Sequence, residues 1–284
     1  MGAPVLAVDV GGTKVEVGLV TDDGTVLVSE RAPSGADPWV PLAHLLPRVL
    51  GAGRGTPDRV GVGCGGPMTP GGEEVSPINI PAWRGFPLRA RLQELTGLPV
   101  TIDNDAKALA LAEGWLGAAA GVRDFMAMVV STGVGGGIVL DGRLLHGEAG
   151  NAGHVGHIVV EPGGRRCGCG AHGCLEAEAS GTAIAAVTGR PASDAPPEVV
   201  ERSGRLVGRA VASVCALLDL RLTVVAGSVA LGFGAPFFEA AQRELDTQLQ
   251  IEFARGARIV PAGLGPRAPL IGAAAVAIRQ VTGG

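Results

Sequence analysis

A histidine and three closely spaced cysteines carry the strongest chemical signal in this chain. The chain has five cysteines in all, and the set consists of His157, Cys167, Cys169 and Cys174. One imidazole and three thiolates form a standard tetrahedral donor set for Zn²⁺, and four protein ligands leave no open position for a substrate. The spacing therefore predicts a structural zinc site. A cluster of reduced thiols without metal is the alternative, and His172 inside the loop could compete as a ligand.

A disulfide within this cluster is not expected. Cys167 and Cys169 are only two residues apart, which is poor geometry for a mutual bridge, and a reducing compartment keeps thiols free. The other two cysteines, Cys64 and Cys215, lie in apolar stretches and are predicted to pack in the core.

Two glycine-rich stretches, "DVGGTK" (9–14) and "STGVGGG" (131–137), turn predicted hairpins. Such turns expose successive backbone N–H groups that can bind phosphate oxygens, and Asp9 can hold Mg²⁺ directly or through water. Neither stretch fits the Walker A motif or the dinucleotide fingerprint. The pair predicts a nucleoside triphosphate held between two lobes, with ordinary tight hairpins as the alternative. Lys14 is either a phosphate ligand or a solvated strand lysine.

The stretch "IDNDAKA" (102–108) places acidic residues between a predicted strand and a predicted helix. Alternation across a strand places Asp103 and Asp105 on one face and Asn104 on the other, unless the chain turns there. Open α/β sheets bind ligands at the carboxyl ends of their strands. A carboxylate there can orient a hydroxyl and take its proton during attack on phosphorus. Either aspartate could instead cap the helix or pack.

The elements that must position these residues predict a mixed α/β fold with two similar hairpin-plus-glycine units. Predicted strands cover 5–10, 15–20, 25–30, 59–64, 100–105, 124–131, 138–142, 222–227 and 257–262. Predicted helices cover 39–50, 86–97, 106–121, 196–220, 235–251 and 269–281. Residues 132–137 are predicted as a turn, and Pro47 is expected to kink or shorten the first helix. The boundary between the two units is predicted near residues 118–124.

Composition argues against several functional classes. The chain has 284 residues, of which 46% are hydrophobic, and a formal net charge of −4. The hydrophobic share favours a folded protein, and the lack of a basic excess argues against nucleic-acid binding. No apolar run reaches the 18 residues of a membrane span, and the N-terminus lacks the basic region of a secretory signal. We therefore expect a cytoplasmic protein with no nucleic-acid or membrane partner.

The motifs together resemble the ROK family, whose name stands for repressors, open reading frames and sugar kinases. The matching stretches, in chain order, are "VDVGGTK", "DNDAKALALAEG", "STGVGGGIV" and "GHIVVEPGGRRCGCGAHGCLEAEASG". The resemblance covers nearly the whole chain and is closest to bacterial glucokinase-type members. It implies the actin-like sugar-kinase fold, an α/β fold of two lobes with a cleft between them. The implied lobes are 1–120, joined by the C-terminal helix 269–284, and 121–268, which carries the zinc loop.

The resemblance also implies an activity: ATP-dependent phosphoryl transfer to the 6-hydroxyl of a hexose, either glucose or an N-acetylated hexosamine such as N-acetylglucosamine. The implied cofactors are ATP, Mg²⁺ and structural Zn²⁺, and family members often form homodimers. Asp105 matches the catalytic base, and His157 would serve zinc and sugar with one ring nitrogen each. The implied sugar-binding residues are Gly66, Asn79, Asn104, Asp105, His154, His157 and Glu176. The implied nucleotide-binding residues are Asp9, Gly11, Gly12, Thr13, Lys14, Thr132, Gly133, Gly227 and Ser228.

One position departs from the family pattern. The family usually reads G-E-x-G-H where this chain reads "GHVGH" (153–157), so His154 replaces the expected sugar-binding glutamate. A carboxylate only accepts hydrogen bonds, whereas neutral imidazole donates and accepts. Glucose, mannose, N-acetylglucosamine and N-acetylmannosamine therefore all stay open as acceptors.

Three rival functions are weighed against the kinase. A sugar-responsive repressor of the same family needs an N-terminal helix-turn-helix, for which the residues before Val5 leave no room. A catalytically silent sugar-binding protein is disfavoured because Asp9 and Asp105 are both retained. A zinc-stabilised α/β protein with another role is the third alternative.

Overall fold

The computed structural model describes residues 2–279 and contains two five-stranded sheets with helices packed on them. The strands are β1 Val5–Val10, β2 Lys14–Val20, β3 Val26–Pro33, β4 Arg59–Cys64, β5 Val100–Asn104, β6 Phe125–Val130, β7 Val134–Leu140, β8 Arg143–Leu144, β9 Leu222–Ala226 and β10 Arg258–Pro261. The α-helices are α1 Trp39–Gly51, α2 Leu88–Thr96, α3 Asp105–Leu116, α4 Leu175–Ala179, α5 Gly181–Thr188, α6 Pro197–Leu218, α7 Ser228–Phe233, α8 Ala235–Gln248 and α9 Ala268–Arg279. The predicted mixed α/β class is confirmed.

The chain forms two compact units. The first comprises the described residues up to Leu116, the segment His146–Ala152 and residues 264–279. The second comprises Gly117–Leu145 and Gly153–Gly263. The lobes implied by the family resemblance differ at three places: they assign 117–120 to the first lobe, and His146–Ala152 and 264–268 to the second.

The first unit is built on the sheet β3-β2-β1-β4-β5. Strand β1 is antiparallel to β2 and parallel to β4, and β4 is parallel to β5. Every residue of β1 is buried, because α9 packs on one face of the sheet and α1 and α2 on the other. The three parallel strands end in register, with Val10 beside Cys64 and Cys64 beside Asn104. This edge carries Asp9 and the turn into α3.

The second unit is built on the sheet β10-β9-β6-β7-β8. Strands β6, β9 and β10 are parallel, and β7 returns antiparallel to β6. Its core is closed by α6 and α8, which touch backbone to backbone. A Cβ atom at Gly204 of α6 would lie 2.4 Å from the carbonyl oxygen of Phe237, and one at Gly208 would lie 2.3 Å from that of Ala241. Glycine at these two positions therefore sets the distance between the helices.

One predicted turn is wrong, and the expected shortening of the first helix at Pro47 does not occur. Residues 134–137 lie in β7 rather than in a turn, because Gly135, Gly136 and Gly137 pair with β6. Only residues 131–133 form the bend. Pro47 lies inside α1, which continues to Gly51 because its buried apolar stripe extends to Val49.

None of the described helices is long and apolar enough to cross a membrane. The last two residues of the predicted helix 269–281 fall outside the described part of the chain.

Candidate functional site

The four predicted metal ligands converge in the second unit. The donor atoms of His157, Cys167, Cys169 and Cys174 all lie within 4.8 Å of one another. The Cys169 and Cys174 sulfurs are 3.7 Å apart, and the Cys167 sulfur lies 3.6 Å from Nδ1 of His157. Tetrahedral zinc, with bonds of about 2.3 Å to sulfur and 2.0–2.1 Å to nitrogen, separates its ligands by roughly 3.5–3.8 Å. The donor set and its spacing thus fit Zn²⁺, and His172 is not part of the group.

The loop that carries these ligands is a tight hairpin. Val159 pairs with Cys174, and Arg166 pairs with His172. Gly173 has φ 75°, and a Cβ atom there would lie 1.8 Å from the carbonyl oxygen of Glu161. A side chain at this position is excluded on both counts. Because His157 offers Nδ1 to the cluster, its Nε2 is left for a second partner.

A buried carboxylate anchors the base of this loop. Both oxygens of Glu178 in α4 are used: Oε1 accepts from the backbone N–H of Arg165 at 2.6 Å, and Oε2 accepts from Arg202 of α6 at 2.7 Å. The Arg165 guanidinium lies 3.1 Å from Oε2. Burial opposes ionisation, but the hydrogen bonds and charges of the two arginines outweigh it and lower the pKa of Glu178. We call this group of Arg165, Glu178 and Arg202 the loop brace.

The loop brace predicts how firmly the site holds a metal. We expect Glu178→Gln, in protein loaded with Zn²⁺, to release zinc to a chromophoric chelator about tenfold faster, the low end for loss of a supporting contact. An amide cannot pair with two guanidinium groups. Glu239→Gln is the matched control, because that exposed carboxylate lies 3.9 Å from Arg243, its one ion-pair partner among residues 2–279. Equal release rates from both variants would contradict the role of the brace.

In the first unit, the structure separates the two aspartates that alternation had placed on one face. Strand β5 ends at Asn104 and α3 begins at Asp105, so the chain turns between them. Asp103 is buried, with its Oδ1 accepting from the Asn104 N–H at 2.8 Å and lying 3.6 Å from the Lys107 ammonium. Its Oδ2 lies 3.6 Å from Nδ1 of His146. Asp103 is therefore a packing residue, as one of the two alternatives proposed.

Asp105 has a different environment. It is exposed at the first position of α3, and its Oδ1 accepts from the Ala106 N–H at 2.8 Å. The Asn104 side chain accepts from the same N–H at 3.0 Å, so both side chains cap the helix. Although water reaches Asp105, surrounding protein atoms restrict its hydration and raise its pKa, which the hydrogen bond from Ala106 offsets only in part. A carboxylate with a raised pKa is a stronger base than an ordinary aspartate, which suits it to accept a proton.

The first glycine turn lies beside Asp105. Asp9 is buried near the end of β1, and burial together with the Asp105 charge raises its pKa to about 7, although Lys14 lowers it. A Cβ atom at Gly63 would lie 3.8 Å from both Asp9 Oδ1 and Asp105 Cα. The absence of a side chain at Gly63 thus keeps the space between the two acids open.

The backbone of this turn has free donors. The N–H groups of Gly12 and Thr13 donate to no acceptor among residues 2–279, and Gly11 donates to the carbonyl of Lys14. A Cβ atom at Gly12 would lie 2.8 Å from Nδ2 of Asn79, so the predicted sugar residue Asn79 packs on the turn. Gly66 accepts from the Ile78 N–H at 3.2 Å, next to Asn79 in the chain. The Lys14 ammonium is paired with Glu16 at 3.1 Å.

The second glycine turn is the bend at residues 131–133. The N–H groups of Thr132 and Gly133 donate to no acceptor within the described chain. The Ser131 and Ser228 hydroxyls lie 2.9 Å apart, which links the bend to the predicted nucleotide-binding residue Ser228. Gly227 has φ 101°, and a Cβ atom there would lie 2.2 Å from the carbonyl oxygen of Val130. Glycine is therefore required where β9 turns into α7.

His154 and His157 lie near this bend in the same unit. Their rings stack with centroids 5.9 Å apart, and His154 is exposed while His157 is half-buried. The intervening chain packs on β7: a Cβ atom at Gly136 would lie 2.8 Å from a methyl of Val155. The absence of a side chain at Gly136 thus makes room for Val155 of the same chain.

Several supporting residues were not found from the sequence. Lys107 is 1% exposed, and its ammonium donates to the Gly150 carbonyl at 2.6 Å. Arg202 and Arg209 of α6 bind residues that flank the ligand loop, Arg202 through Glu178 and Arg209 through the Val160 carbonyl at 2.9 Å. Each pair is separated by 24 or more residues, so no local spacing signals it. A lysine in a run of buried alanines was the one visible hint.

Comparisons with known proteins place the chain among sugar kinases. The family model described as the ROK family matches residues 5–280. The N-acetylmannosamine kinase of Citrobacter koseri is 37% identical over 246 residues, which covers 81% of this chain and 84% of the relative.

Two solved structures are also similar. The ROK hexokinase of Thermus thermophilus has a TM-score of 0.86 at 35% identity, with 99% of this chain and 100% of that one covered. The ROK family glucokinase of Streptomyces griseus, solved with glucose and AMPPNP, has a TM-score of 0.85 at 28% identity, with 98% and 99% covered. The expected actin-like α/β fold is confirmed. Since the family model spans both sheets, both glycine turns and the Cys₃His cluster, this chain belongs to the ROK family.

Proposed function

We propose that the protein is an ATP-dependent sugar kinase that transfers the γ-phosphoryl group of ATP to the 6-hydroxyl of a hexose. The observation that carries this proposal is the position of Asp105. It is an accessible carboxylate with a raised pKa, at the end of a parallel strand and beside a glycine turn with free N–H donors. The hexokinase, glucokinase and N-acetylmannosamine kinase relatives support the same reaction class.

In the proposed mechanism Asp105 orients the 6-hydroxyl and takes its proton as the oxygen attacks the γ-phosphorus. The new O–P bond forms while the bond from the γ-phosphorus to the bridging oxygen breaks, and ADP leaves. The free N–H groups of Gly12, Thr13, Thr132 and Gly133 would bind phosphate oxygens. Asp9 would hold Mg²⁺, which neutralises phosphate charge when bound.

The residues proposed to bind the sugar are those that the family resemblance implies. Asn79 and Asn104 would supply amide groups, and His157 would use Nε2, because Nδ1 belongs to the metal cluster. His154 and Glu176 would bind further hydroxyls or the ring substituent. Since imidazole can both donate and accept, His154 admits an N-acetyl carbonyl as well as a hydroxyl. The proposed acceptors are glucose and N-acetylated hexosamines, including N-acetylglucosamine and N-acetylmannosamine.

A coupled assay of ADP release tests this proposal. We expect turnover with at least one sugar of a panel of glucose, mannose, N-acetylglucosamine and N-acetylmannosamine. His154→Glu, run on the same panel, is expected to shift the ratio of kcat/KM values between N-acetylated and plain hexoses by about tenfold, the size of one polar contact.

No ADP release on any sugar would contradict the kinase and favour a catalytically silent sugar-binding protein. Calorimetric titration with the same panel then shows whether sugar binding alone remains. An unchanged ratio in His154→Glu would remove His154 from the sugar site.

A further inference from the structure

Glu176 contacts the second glycine turn directly. It is the second residue of α4, and its Oε2 accepts a hydrogen bond from the backbone N–H of Val134 at 2.9 Å. Val134 begins β7 immediately after Thr132 and Gly133, the residues with free N–H donors. The side chain implied to bind sugar therefore also holds the turn implied to bind phosphate.

This hydrogen bond fixes the orientation of a peptide plane. The peptide between Gly133 and Val134 has its carbonyl bound by the Ser131 N–H at 2.9 Å and its N–H bound by Glu176. On the other side of the bend, the Thr182 hydroxyl donates to the Thr132 carbonyl at 2.9 Å. With these groups held, the N–H groups of Thr132 and Gly133 are left as a preorganised pair of donors.

The glycine at position 133 is explained by the same contact. Its φ lies outside the left-handed range, so backbone conformation does not require glycine there. A Cβ atom at Gly133 would lie 2.7 Å from Oε2 of Glu176. The carboxylate thus occupies the space of a side chain, and the bend and Glu176 fit each other.

We propose that Glu176 is a positioning residue for the nucleotide turn as well as a sugar ligand, and that it couples the affinities for the two substrates. This proposal rests on the proposed kinase function. One oxygen, Oε2, holds the turn, and Oε1 stays available for a sugar hydroxyl. A hydroxyl bound to Oε1 restrains the Glu176 side chain and so steadies the turn. Linkage then requires nucleotide to strengthen sugar binding by the same factor.

Three variants of Glu176 separate the proposed positioning of the turn from the effect of the carboxylate charge. Glu176→Gln keeps an oxygen that can accept from Val134 but removes the charge. Glu176→Asp keeps the charge at the first turn of α4 but shortens the side chain, so that the carboxylate no longer reaches Val134. Glu176→Ala removes both. Glu239→Ala, an exposed glutamate on α8, is the control.

The test is calorimetric titration with Mg²⁺ and AMPPNP in the absence of sugar. We expect Glu176→Asp and Glu176→Ala to weaken nucleotide binding about tenfold, as for loss of a charge-assisted hydrogen bond. Glu176→Gln and the control should stay within about threefold of wild type. With saturating sugar, wild type should bind AMPPNP more tightly and Glu176→Ala should lose that gain.

Nucleotide affinity unchanged in Glu176→Asp, or increased in Glu176→Ala, would overturn the proposal, since repulsion of phosphate would then be the main effect of this carboxylate. A loss of nucleotide affinity in Glu176→Gln as large as that in Glu176→Ala would overturn it as well. Wild-type protein that binds no AMPPNP would contradict the kinase function itself, and the coupling with it.

Discussion

Asp105→Asn is expected to lower kcat by about 10²–10⁴-fold, the usual contribution of a general base. The amide has nearly the same shape and cannot accept the proton of the sugar hydroxyl. Its oxygen can still accept from the Ala106 N–H, so the cap of α3 and the position of Asn104 are kept. We expect the KM values for sugar and ATP to stay within a few-fold of wild type in the ADP-release assay.

The pH profile provides a second readout. Because the pKa of Asp105 is raised, kcat/KM of wild type should fall towards acid pH at a value above the usual range of an aspartate. The pKa of the adjacent Asp9 is also raised, in part by the charge of Asp105, so the apparent value belongs to the pair. Asp58→Asn, an exposed carboxylate of the same unit, should leave rate and profile unchanged. A rate for Asp105→Asn within tenfold of wild type would remove Asp105 from the role of base.

The choice between Asp103 and Asp105 shows where the sequence stops being informative. Strand alternation treats the two aspartates alike, and both flank the start of the helix. What separates them is a long-range contact: Asp103 lies against Lys107 and against His146, which is more than 40 residues away in the chain. No local sequence pattern indicates that the segment His146–Ala152 packs at this edge of the first unit.

The glycines of β7 are a second case in which the local sequence is not sufficient to predict the structure. Glycine is depleted in strands, so a run of three favours a turn when only the sequence is known. The segment forms a strand because another part of the same chain packs against it. A Cβ atom at Gly136 would lie 2.8 Å from a methyl of Val155 and 3.1 Å from the carbonyl oxygen of Gly153. Close tertiary packing, which propensity does not describe, therefore requires small residues in this strand.

The metal cluster, in contrast, was predictable because its ligands lie close together in the sequence. Three of its four ligands lie within one short hairpin, and the fourth is ten residues before the first of them. Local geometry alone brings them together, and the types of donor atom indicate which ion they would bind. The loop brace was not predictable, because Arg202 of α6 reaches Glu178 only after the second unit has packed.

Asp9→Asn is expected to stabilise the first unit at pH 8 in buffer without divalent cations. The folded pKa of Asp9 is about 7, against 3.8 for an unperturbed carboxyl. Between these values the folded state holds a proton that the unfolded state has lost. Stability therefore falls as pH rises through this window, and the loss is complete above pH 7. Asparagine has no such loss, so the free energy of unfolding should rise by roughly 2–4 kcal/mol.

The measurement is urea unfolding followed by tryptophan fluorescence. All three tryptophans, Trp39, Trp83 and Trp115, belong to the first unit, so the signal reports the unit that contains Asp9. The gain should shrink as pH falls and disappear near pH 4, where both states of wild type are protonated. Asp58→Asn, at an exposed carboxylate, should change stability by less than about 0.5 kcal/mol at either pH. If Asp9→Asn gained as much at pH 4 as at pH 8, the buried charge would not be the cause. Stability in wild type is thus given up at the position where the proposed reaction needs a carboxylate to hold Mg²⁺.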